Sequence, residues 1–158
     1  MREGMSTYDE PMMQRALELA AAAAERGEVP VGAVVFDTAS GAIISEAANT
    51  REASKEPHAH AEFLAILAAC KARGDWRLND CSLAVTLEPC PMCAGLIVNS
   101  RVGRVVFGAT DPKAGAVVTL HQLLSDTRLN HRPEVVSGVL AQEAGSLLTA
   151  FFRSLRKG

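Results

Sequence analysis

Two short stretches of the chain contain side chains suited to metal binding and proton transfer. The first contains His60 and Glu62, and the second contains Cys90 and Cys93, in the pattern H-x-E…P-C-x-x-C. One imidazole and two thiolates suit a zinc ion, and the lack of an evident fourth ligand leaves one coordination position open, which is typical of catalytic zinc. Glu62 would then be free to move protons to and from a water molecule at that position.

The spacing within each stretch supports this interpretation. Cys90 and Cys93 are three residues apart at the start of a predicted helix, so their sulfur atoms share one face. The partial positive charge of a helix N-terminus lowers a thiol pKa and favours the thiolate that zinc requires. His60 also opens a predicted helix, which leaves one ring nitrogen for the metal and the other for a hydrogen-bond acceptor.

Other interpretations of these residues are less favoured. A C-x-x-C pair alone is typical of a redox dithiol, but the H-x-E pattern beside it favours zinc. A closed, structural zinc site would need a fourth ligand, for which His58 is the nearest candidate; residues two apart do not face the same way on a helix. His121 and His131 are interpreted as surface or hydrogen-bonding residues rather than metal ligands. Glu88, just before a proline, is interpreted as a structural carboxylate.

Composition limits the class of protein. The chain has 158 residues, 48% of them hydrophobic and 22% charged, which predicts one globular domain with a proper core. No stretch approaches the roughly 18 apolar residues of a membrane span, and the N-terminus lacks the apolar segment of a secretory signal. We therefore expect a cytoplasmic protein that does not enter a membrane. The net charge of −2 does not by itself indicate a nucleic-acid binder.

Patterns of apolar and turn-forming residues predict an alternation of helices and strands. Asp9 is a plausible N-cap for the first helix, and Gly74 a plausible end for the second. The predicted helices are 11–25, 60–72, 91–99, a short one near 120–124, and 141–155. The predicted strands are 32–36 and 42–48, which form a hairpin, then 82–87, 104–107 and 134–139. Residues 50–59 and 108–115 are predicted loops.

This alternation predicts an α/β fold with three layers, α/β/α, around a central five-stranded mixed sheet. The helix at 60–72 connects the second and third strands, and the helix at 91–99 connects the third and fourth. Such crossovers predict parallel neighbouring strands with right-handed connections. Both helices then begin at the same end of the sheet, so that His60, Cys90 and Cys93 converge there.

Further stretches of the sequence resemble a known family, the bacterial tRNA-specific adenosine deaminases. The matching stretches are 29–34, 60–62, 85–90, 92–95, 100–101, 103–108, 111–115, 129–132 and 151–153. The zinc motif is shared by all cytidine-deaminase-like enzymes, whereas the stretches 111–115, 129–132 and 151–153 narrow the resemblance to the tRNA enzymes. The resemblance runs from about residue 8 to residue 156, and it implies that 1–158 forms a single zinc-dependent deaminase domain of cytidine-deaminase-like fold.

The resemblance implies a specific chemistry. One Zn²⁺ per subunit would be held by His60, Cys90 and Cys93, and Glu62 would act as the proton shuttle. Hydrolysis at C6 of adenosine would release ammonia and leave inosine at the wobble position of an arginine tRNA. The base would be flipped out of an anticodon loop, where bases are accessible.

The resemblance also implies partners and further site residues. Asn49 matches an asparagine that contacts the base, and the family forms homodimers. Residues in RNA-facing and C-terminal stretches of the family are Asp111, Lys113, Asn130, His131, Arg132, Phe152 and Arg153. Two other functions keep part of this pattern: deamination of a free base or nucleoside such as guanine or cytosine, and a non-catalytic zinc-stabilised RNA-binding or dithiol protein. The stretches 129–132 and 151–153 disfavour the former, and Glu62 disfavours the latter.

Overall fold

The computed structural model describes residues 4–157, so residues 1–3 and 158 of the predicted domain lie outside the described residues. Five strands form one mixed sheet in the order β2-β1-β3-β4-β5. The strands are β1 Gly32–Asp37, β2 Ile43–Ala48, β3 Cys81–Leu87, β4 Arg104–Ala109 and β5 Glu134–Val136. The α-helices are α1 Asp9–Glu25, α2 Arg51–Ser54, α3 Ala61–Arg73, α4 Pro91–Ser100 and α5 Ala141–Lys157.

The pairing of the strands confirms the predicted hairpin, but it shows that β2 and β3 are not neighbours as expected. β1 pairs antiparallel with β2 and also with β3, whereas β3–β4 and β4–β5 are parallel pairs. The crossover through α3 was expected to join parallel neighbours, which is wrong because β1 lies between β2 and β3. Two successive antiparallel pairings nevertheless leave β2 and β3 running the same way. Consequently α3 and α4 both begin at the same end of the sheet.

Helices cover both faces of the sheet, as predicted. On one face, Val34 and Phe36 of β1 pack with Met13 of α1 in a core that also includes residues of β4 and β5. On the other face, Val35 packs in a second core with Ile66 of α3 and with residues of α4. Alternate residues of a strand point to opposite faces, which is why neighbouring positions of β1 belong to different cores. The architecture is therefore the three-layer α/β/α fold with a mixed sheet.

Three element predictions need correction. The predicted loop 50–59 contains the short helix α2, the predicted helix 120–124 is a 3₁₀ turn at Leu123–Ser125, and β5 is only three residues long. The start of α2 is capped from a distance, since the Glu28 carboxylate accepts hydrogen bonds from the backbone N–H groups of Glu52 and Ala53, at 2.9 and 2.8 Å. A cap supplied from 24 residues away leaves no local pattern to recognise.

The end of α3 is as predicted. Gly74 follows the helix with a φ of +66°, in the left-handed region that residues with a Cβ atom rarely adopt. Within the described part of the chain, no helix combines the length and apolar character that crossing a bilayer requires.

Asp9 does not cap α1 as predicted; it is the first helical residue, and Tyr8 occupies the N-cap position. Its buried carboxylate instead receives two parallel hydrogen bonds from Arg104 at the start of β4, Nη1 to Oδ1 at 3.0 Å and Nη2 to Oδ2 at 2.8 Å. Arg104 also donates to the hydroxyl oxygen of Ser82 and to the carbonyl oxygen of Gly4. These contacts fix the N-terminal segment and α1 to β4.

We expect Arg104→Ala to lower the free energy of unfolding by about 3 kcal/mol, because it leaves the Asp9 carboxylate buried without its charge partner. A matched control is Arg128→Ala, since Arg128 pairs through two nitrogens with Asp126 on the surface and its side chain is 88% exposed. Urea denaturation of both variants should show a clear loss for the first and little change for the second. An equal loss of unfolding free energy in the two variants would contradict the conclusion that burial makes the Asp9–Arg104 pair more important than a surface pair.

Candidate active site

Three metal-binding side chains converge at the end of the sheet where α3 and α4 begin. His60 Nδ1 lies 3.6 Å from Cys90 Sγ and 3.5 Å from Cys93 Sγ, and the three ligand atoms all lie within 4.8 Å of one another. In a tetrahedral zinc site with ordinary bond lengths, a nitrogen and a sulfur ligand are about 3.5 Å apart. The donor set and its geometry therefore fit a zinc ion with three protein ligands.

The starts of the two helices place these ligands. His60 occupies the N-cap position of α3 and Cys90 that of α4, both with extended backbone, and Pro91 is the first residue of α4. Each cap residue's carbonyl oxygen accepts the first helical hydrogen bond, from Leu64 and Ala94 respectively. Cys93 then lies within the first turn of α4, on the side that faces His60. The ligands thus sit on two rigid helix ends rather than on a loop.

Electrostatics within the cluster favour a thiolate. The hydrogen bonds with Cys93 and His60 lower the pKa of the Cys90 thiol to about 4 despite its partial burial. The same hydrogen bond with Cys90, together with burial, raises the pKa of Cys93, and the hydrogen bond with Cys90 raises the pKa of His60. Cys93 and His60 therefore both favour the protonated form without a metal, and zinc binding has to release protons from the cluster.

Glu62 lies beside the cluster in the first turn of α3 and is only 4% exposed. Burial raises the pKa of its carboxyl group to about 7, against the opposing effects of its own backbone N–H and of the nearby His60. A carboxyl group that titrates near neutral pH can both accept and donate a proton, which is what general acid–base catalysis requires.

A cavity of about 160 Å³ opens next to the cluster. Three of the residues predicted to act on the substrate line it: Asn49, Glu62 and Asp111. Asn49 is held firmly, since its Nδ2 donates to the Val29 carbonyl oxygen at 3.3 Å and its Oδ1 accepts from the Arg51 backbone N–H at 3.0 Å. The remaining lining residues are Val29, Val31, Arg51, His60, Ala61, Leu87, Glu88, Cys90 and Ala114.

Three predicted residues lie outside this cavity, near α5. Lys113 and Phe152 line a separate groove, together with Leu148, Thr149, Leu155 and Arg156. Phe152 is 42% exposed there. Arg153 is exposed and borders another depression along α5. The structure thus brings Lys113 and Phe152 together in one groove, while Arg153, the next residue of α5, borders the other depression.

The three predicted residues that precede β5 also lie outside the cavity. Asn130 and Arg132 are exposed, and His131 is half-buried. The Nε2 atom of His131 lies 2.7 Å from the Val102 carbonyl oxygen, and the Arg132 guanidinium donates to the Leu129 carbonyl oxygen at 2.9 Å. The side chains of His131 and Arg132 therefore stabilise the conformation of this segment.

The prediction of substrate-facing residues missed Arg51, which lines the cavity and follows Asn49 by two residues. The interpretation of Glu88 as a structural carboxylate agrees with its burial and with the backbone N–H groups whose hydrogen bonds it accepts. His58, the candidate fourth ligand of a closed zinc site, is not part of the metal cluster. Its ring packs beside Phe63 with centroids 5.4 Å apart.

Comparisons with known proteins agree with this geometry. Residues 6–109 match the family model described as the cytidine and deoxycytidylate deaminase zinc-binding region. A tRNA-specific adenosine deaminase of Bacillus subtilis is 56% identical over 151 residues, which cover 96% of this chain and 92% of the relative. The chain therefore belongs to the cytidine and deoxycytidylate deaminase family, in its branch of tRNA-specific adenosine deaminases. It is a zinc-binding deaminase with one zinc ion per chain.

Solved structures show the same fold. One solved structure comes from biochemical and structural studies of A-to-I editing by tRNA:A34 deaminases at the wobble position of transfer RNA. It is 40% identical in sequence and superposes with a TM-score of 0.83. The match covers 87% of this chain and 99% of the solved chain. A guanine deaminase from Bacillus subtilis is 41% identical with a TM-score of 0.62, over 67% of this chain and 66% of its own.

Replacing a metal ligand should abolish zinc binding. We expect Cys90→Ala to bind zinc far below one ion per chain, because it removes the more acidic of the two thiols and leaves two ligands. Metal content after dialysis, measured by mass spectrometry, gives the result directly. Cys70→Ala is the control, since this half-buried thiol lies outside the metal cluster and donates a hydrogen bond to the Trp76 carbonyl oxygen. Full zinc content in Cys90→Ala would refute the assignment of the ligand.

Proposed function

We propose that the protein hydrolyses adenosine to inosine at the wobble position of a tRNA anticodon, within one catalytic domain of about residues 8–156. The observation that carries the proposal is the buried Glu62 beside the metal cluster, in the lining of a cavity of about 160 Å³. A cavity of this size admits one base rather than a stacked strand, so the target nucleotide has to leave its stack. Similarity to the tRNA enzymes over most of the chain supports the choice of substrate.

In this mechanism Glu62 moves the protons. Zinc at the cluster supplies Lewis acidity, which makes water a good nucleophile near neutral pH. Glu62 accepts one proton from the attacking water and delivers it to the adenine ring nitrogen. It then takes the second proton from the hydroxyl now attached to C6 and passes it to the departing amine. Water adds at C6 and ammonia leaves, so the overall reaction converts adenosine and water into inosine and ammonia. The burial that brings the pKa of Glu62 to about 7 suits both halves of this transfer.

We assign base recognition to residues at the rim of the cavity. Asn49 is oriented by hydrogen bonds to backbone on both sides of its amide, so it can offer its remaining donor and acceptor capacity to a base edge. Asp111 approaches from the opposite chain segment, and its carboxylate already accepts the backbone N–H groups of Lys113 and Ala114. Both side chains are therefore preorganised before substrate arrives.

The rest of the anticodon stem-loop would contact the surface beyond the cavity. The exposed ring of Phe152 offers a stacking surface for an unpaired base, and Lys113 and Arg153 offer charge to phosphates. The segment 130–132 contributes a further contact surface for the RNA. The side chains of His131 and Arg132 hold the backbone of this segment in place. Recognition spread over several local basic and aromatic sites is compatible with a chain whose net charge is −2.

We also propose that the protein acts as a homodimer on an arginine tRNA in the cytoplasm. Four large apolar side chains are exposed on α3, at the start of α4 and in the segment after β4: Leu67, Met92, Val118 and Leu120. α3 and α4 pack against each other, and α4 packs against the 3₁₀ turn that follows this segment. Exposed apolar surface of this kind is typical of protein interfaces.

The proposal predicts inosine in an anticodon stem-loop with adenosine at the wobble position. Purified protein should convert this RNA, measured by nucleoside chromatography, while free adenosine, cytidine and guanine stay unchanged. Turnover of guanine alone would instead support the activity of the guanine deaminase relative and overturn the tRNA substrate. A stem-loop with guanosine at the wobble position is the matched RNA control.

Glu62→Ala should keep the fold and the zinc but lose turnover by a factor of roughly 10³ or more, because Glu88, the other buried carboxyl group that lines the cavity, has its oxygens occupied by backbone N–H groups. Zinc content and circular dichroism establish that the variant is intact. Deamination at the wild-type rate in an intact variant would disprove the role assigned to Glu62.

A further inference from the structure

Glu88 is a buried carboxylate that is held by backbone amides. It is 1% exposed, and its Oε1 accepts from the Asp111 N–H at 3.0 Å. Its Oε2 accepts three further backbone N–H groups, from Val117, Val118 and Thr119, at 3.1, 2.9 and 3.0 Å. The Thr119 hydroxyl donates to Oε1 as well. None of the ion pairs found within residues 4–157 includes Glu88.

These contacts mean that the segment 111–119 is wrapped around one negative charge. A buried carboxylate without partners would be strongly disfavoured, and here inward-pointing amide dipoles supply the compensation that a cation would otherwise provide. With two donors on one oxygen and three on the other, the carboxylate has no free lone pair directed at a substrate. Glu88 is therefore unsuited to proton transfer, although it lies beside the zinc motif.

Gly115 supports this arrangement independently. A Cβ atom at this position would lie 2.4 to 2.5 Å from the carboxyl carbon and both oxygens of Glu88. The φ of Gly115 lies outside the left-handed region, so its backbone torsion does not require glycine. The close approach of the Glu88 carboxylate is the feature that excludes a side chain here.

Glu88 also lies where the metal site and the substrate-facing segment meet. Its backbone N–H donates to the Ala109 carbonyl oxygen at the end of β4, and two residues later the chain reaches Cys90. The neighbouring Pro89 carbonyl oxygen accepts the Ala116 N–H at 2.9 Å. The segment 111–119, which Glu88 holds, places Asp111 and Ala114 in the cavity wall and Lys113 in the groove beside α5.

We propose that Glu88 is a positioning residue for RNA binding: its carboxylate fixes the segment 111–119 against the start of α4, and so sets the wall of the cavity that receives the flipped nucleotide. This inference rests on the proposed function for its substrate. It assigns to Glu88 a role in substrate binding that is separate from zinc binding and from the proton transfer of Glu62.

The test uses Glu88→Gln, which keeps the size of the side chain but removes the charge and turns an –NH₂ group towards the backbone donors. We expect KM for the stem-loop to rise about tenfold with kcat within about threefold, since binding is lost and the chemistry is kept. Zinc content should stay at one ion per chain. Hydrogen exchange of the backbone amides of residues 111 and 117–119 should accelerate, while the amides of α3 stay protected.

Four further substitutions make the result specific. Gly115→Ala should reproduce the rise in KM, but should add little in a Glu88→Ala background, where the carboxylate no longer occupies the space. Thr119→Val removes a single donor from an exposed residue, and should shift KM and exchange in the same direction by about twofold. Glu28→Gln is the control for exchange, since this buried carboxylate caps α2 instead and should leave 117–119 unchanged.

A fall in kcat with KM and exchange unchanged would overturn the proposal, because Glu88 would then act on the chemistry. Additive effects of Gly115→Ala and Glu88→Ala would overturn it too. Failure of the wild-type protein to convert the stem-loop would refute the proposed substrate instead. In that case the exchange measurements still decide whether Glu88 holds the segment 111–119.

Discussion

The chemistry of this protein depends on two helix N-termini being held side by side at one end of a mixed sheet. His60 and Cys90 occupy the N-cap positions of α3 and α4, and the parallel directions of β2 and β3 bring these two positions together. The partial positive charge at both helix ends stabilises thiolates, which zinc needs as ligands. Because the ligands sit on packed helices, their geometry is set before any metal arrives, and the cavity beside them is formed by the same elements.

Four buried carboxylates show how the protein assigns different roles to one functional group. Asp9 is neutralised by Arg104, whereas Glu28 and Glu88 accept hydrogen bonds from backbone amides. For Glu88, burial raises the pKa, but the hydrogen bonds from Thr119 and the amides outweigh it and the pKa falls below its usual range. Glu62 lacks such a set of donors, so burial dominates and its pKa rises to about 7. Asp9, Glu28 and Glu88 hold the structure through their hydrogen bonds, whereas Glu62, with its raised pKa, lies beside the metal cluster.

The small cavity and the surface around it differ in how firmly their side chains are held. A flipped base would meet side chains that are fixed by backbone contacts, such as Asn49 and Asp111. The surrounding RNA would meet exposed side chains such as Lys113, Phe152 and Arg153, which are free to adjust. In the proposed function, the side chains fixed by backbone contacts are therefore those next to the reacting nucleotide, where a small displacement costs most in rate. The segment 111–119 belongs to both regions, which is why the contacts that hold it matter.

The sequence by itself predicted the cluster of His60, Cys90 and Cys93, the three-layer architecture and all five strands, because each rests on a local signal: motif spacing, alternation of apolar residues, or a turn. It did not reveal the short helix α2, the pairing of Asp9 with Arg104, or the contacts of Glu88 with 111–119. Those depend on partners 24, 95 and up to 31 residues away, which only the folded chain brings within hydrogen-bond distance. Similarly, β1 lies between β2 and β3 because sheet order follows from the packing of whole elements rather than from any one segment. Residue types and their spacing, which make a metal site possible, can be recognised in the sequence. The hydrogen-bond partners of each buried charged group depend on the tertiary structure, because they come from distant parts of the chain.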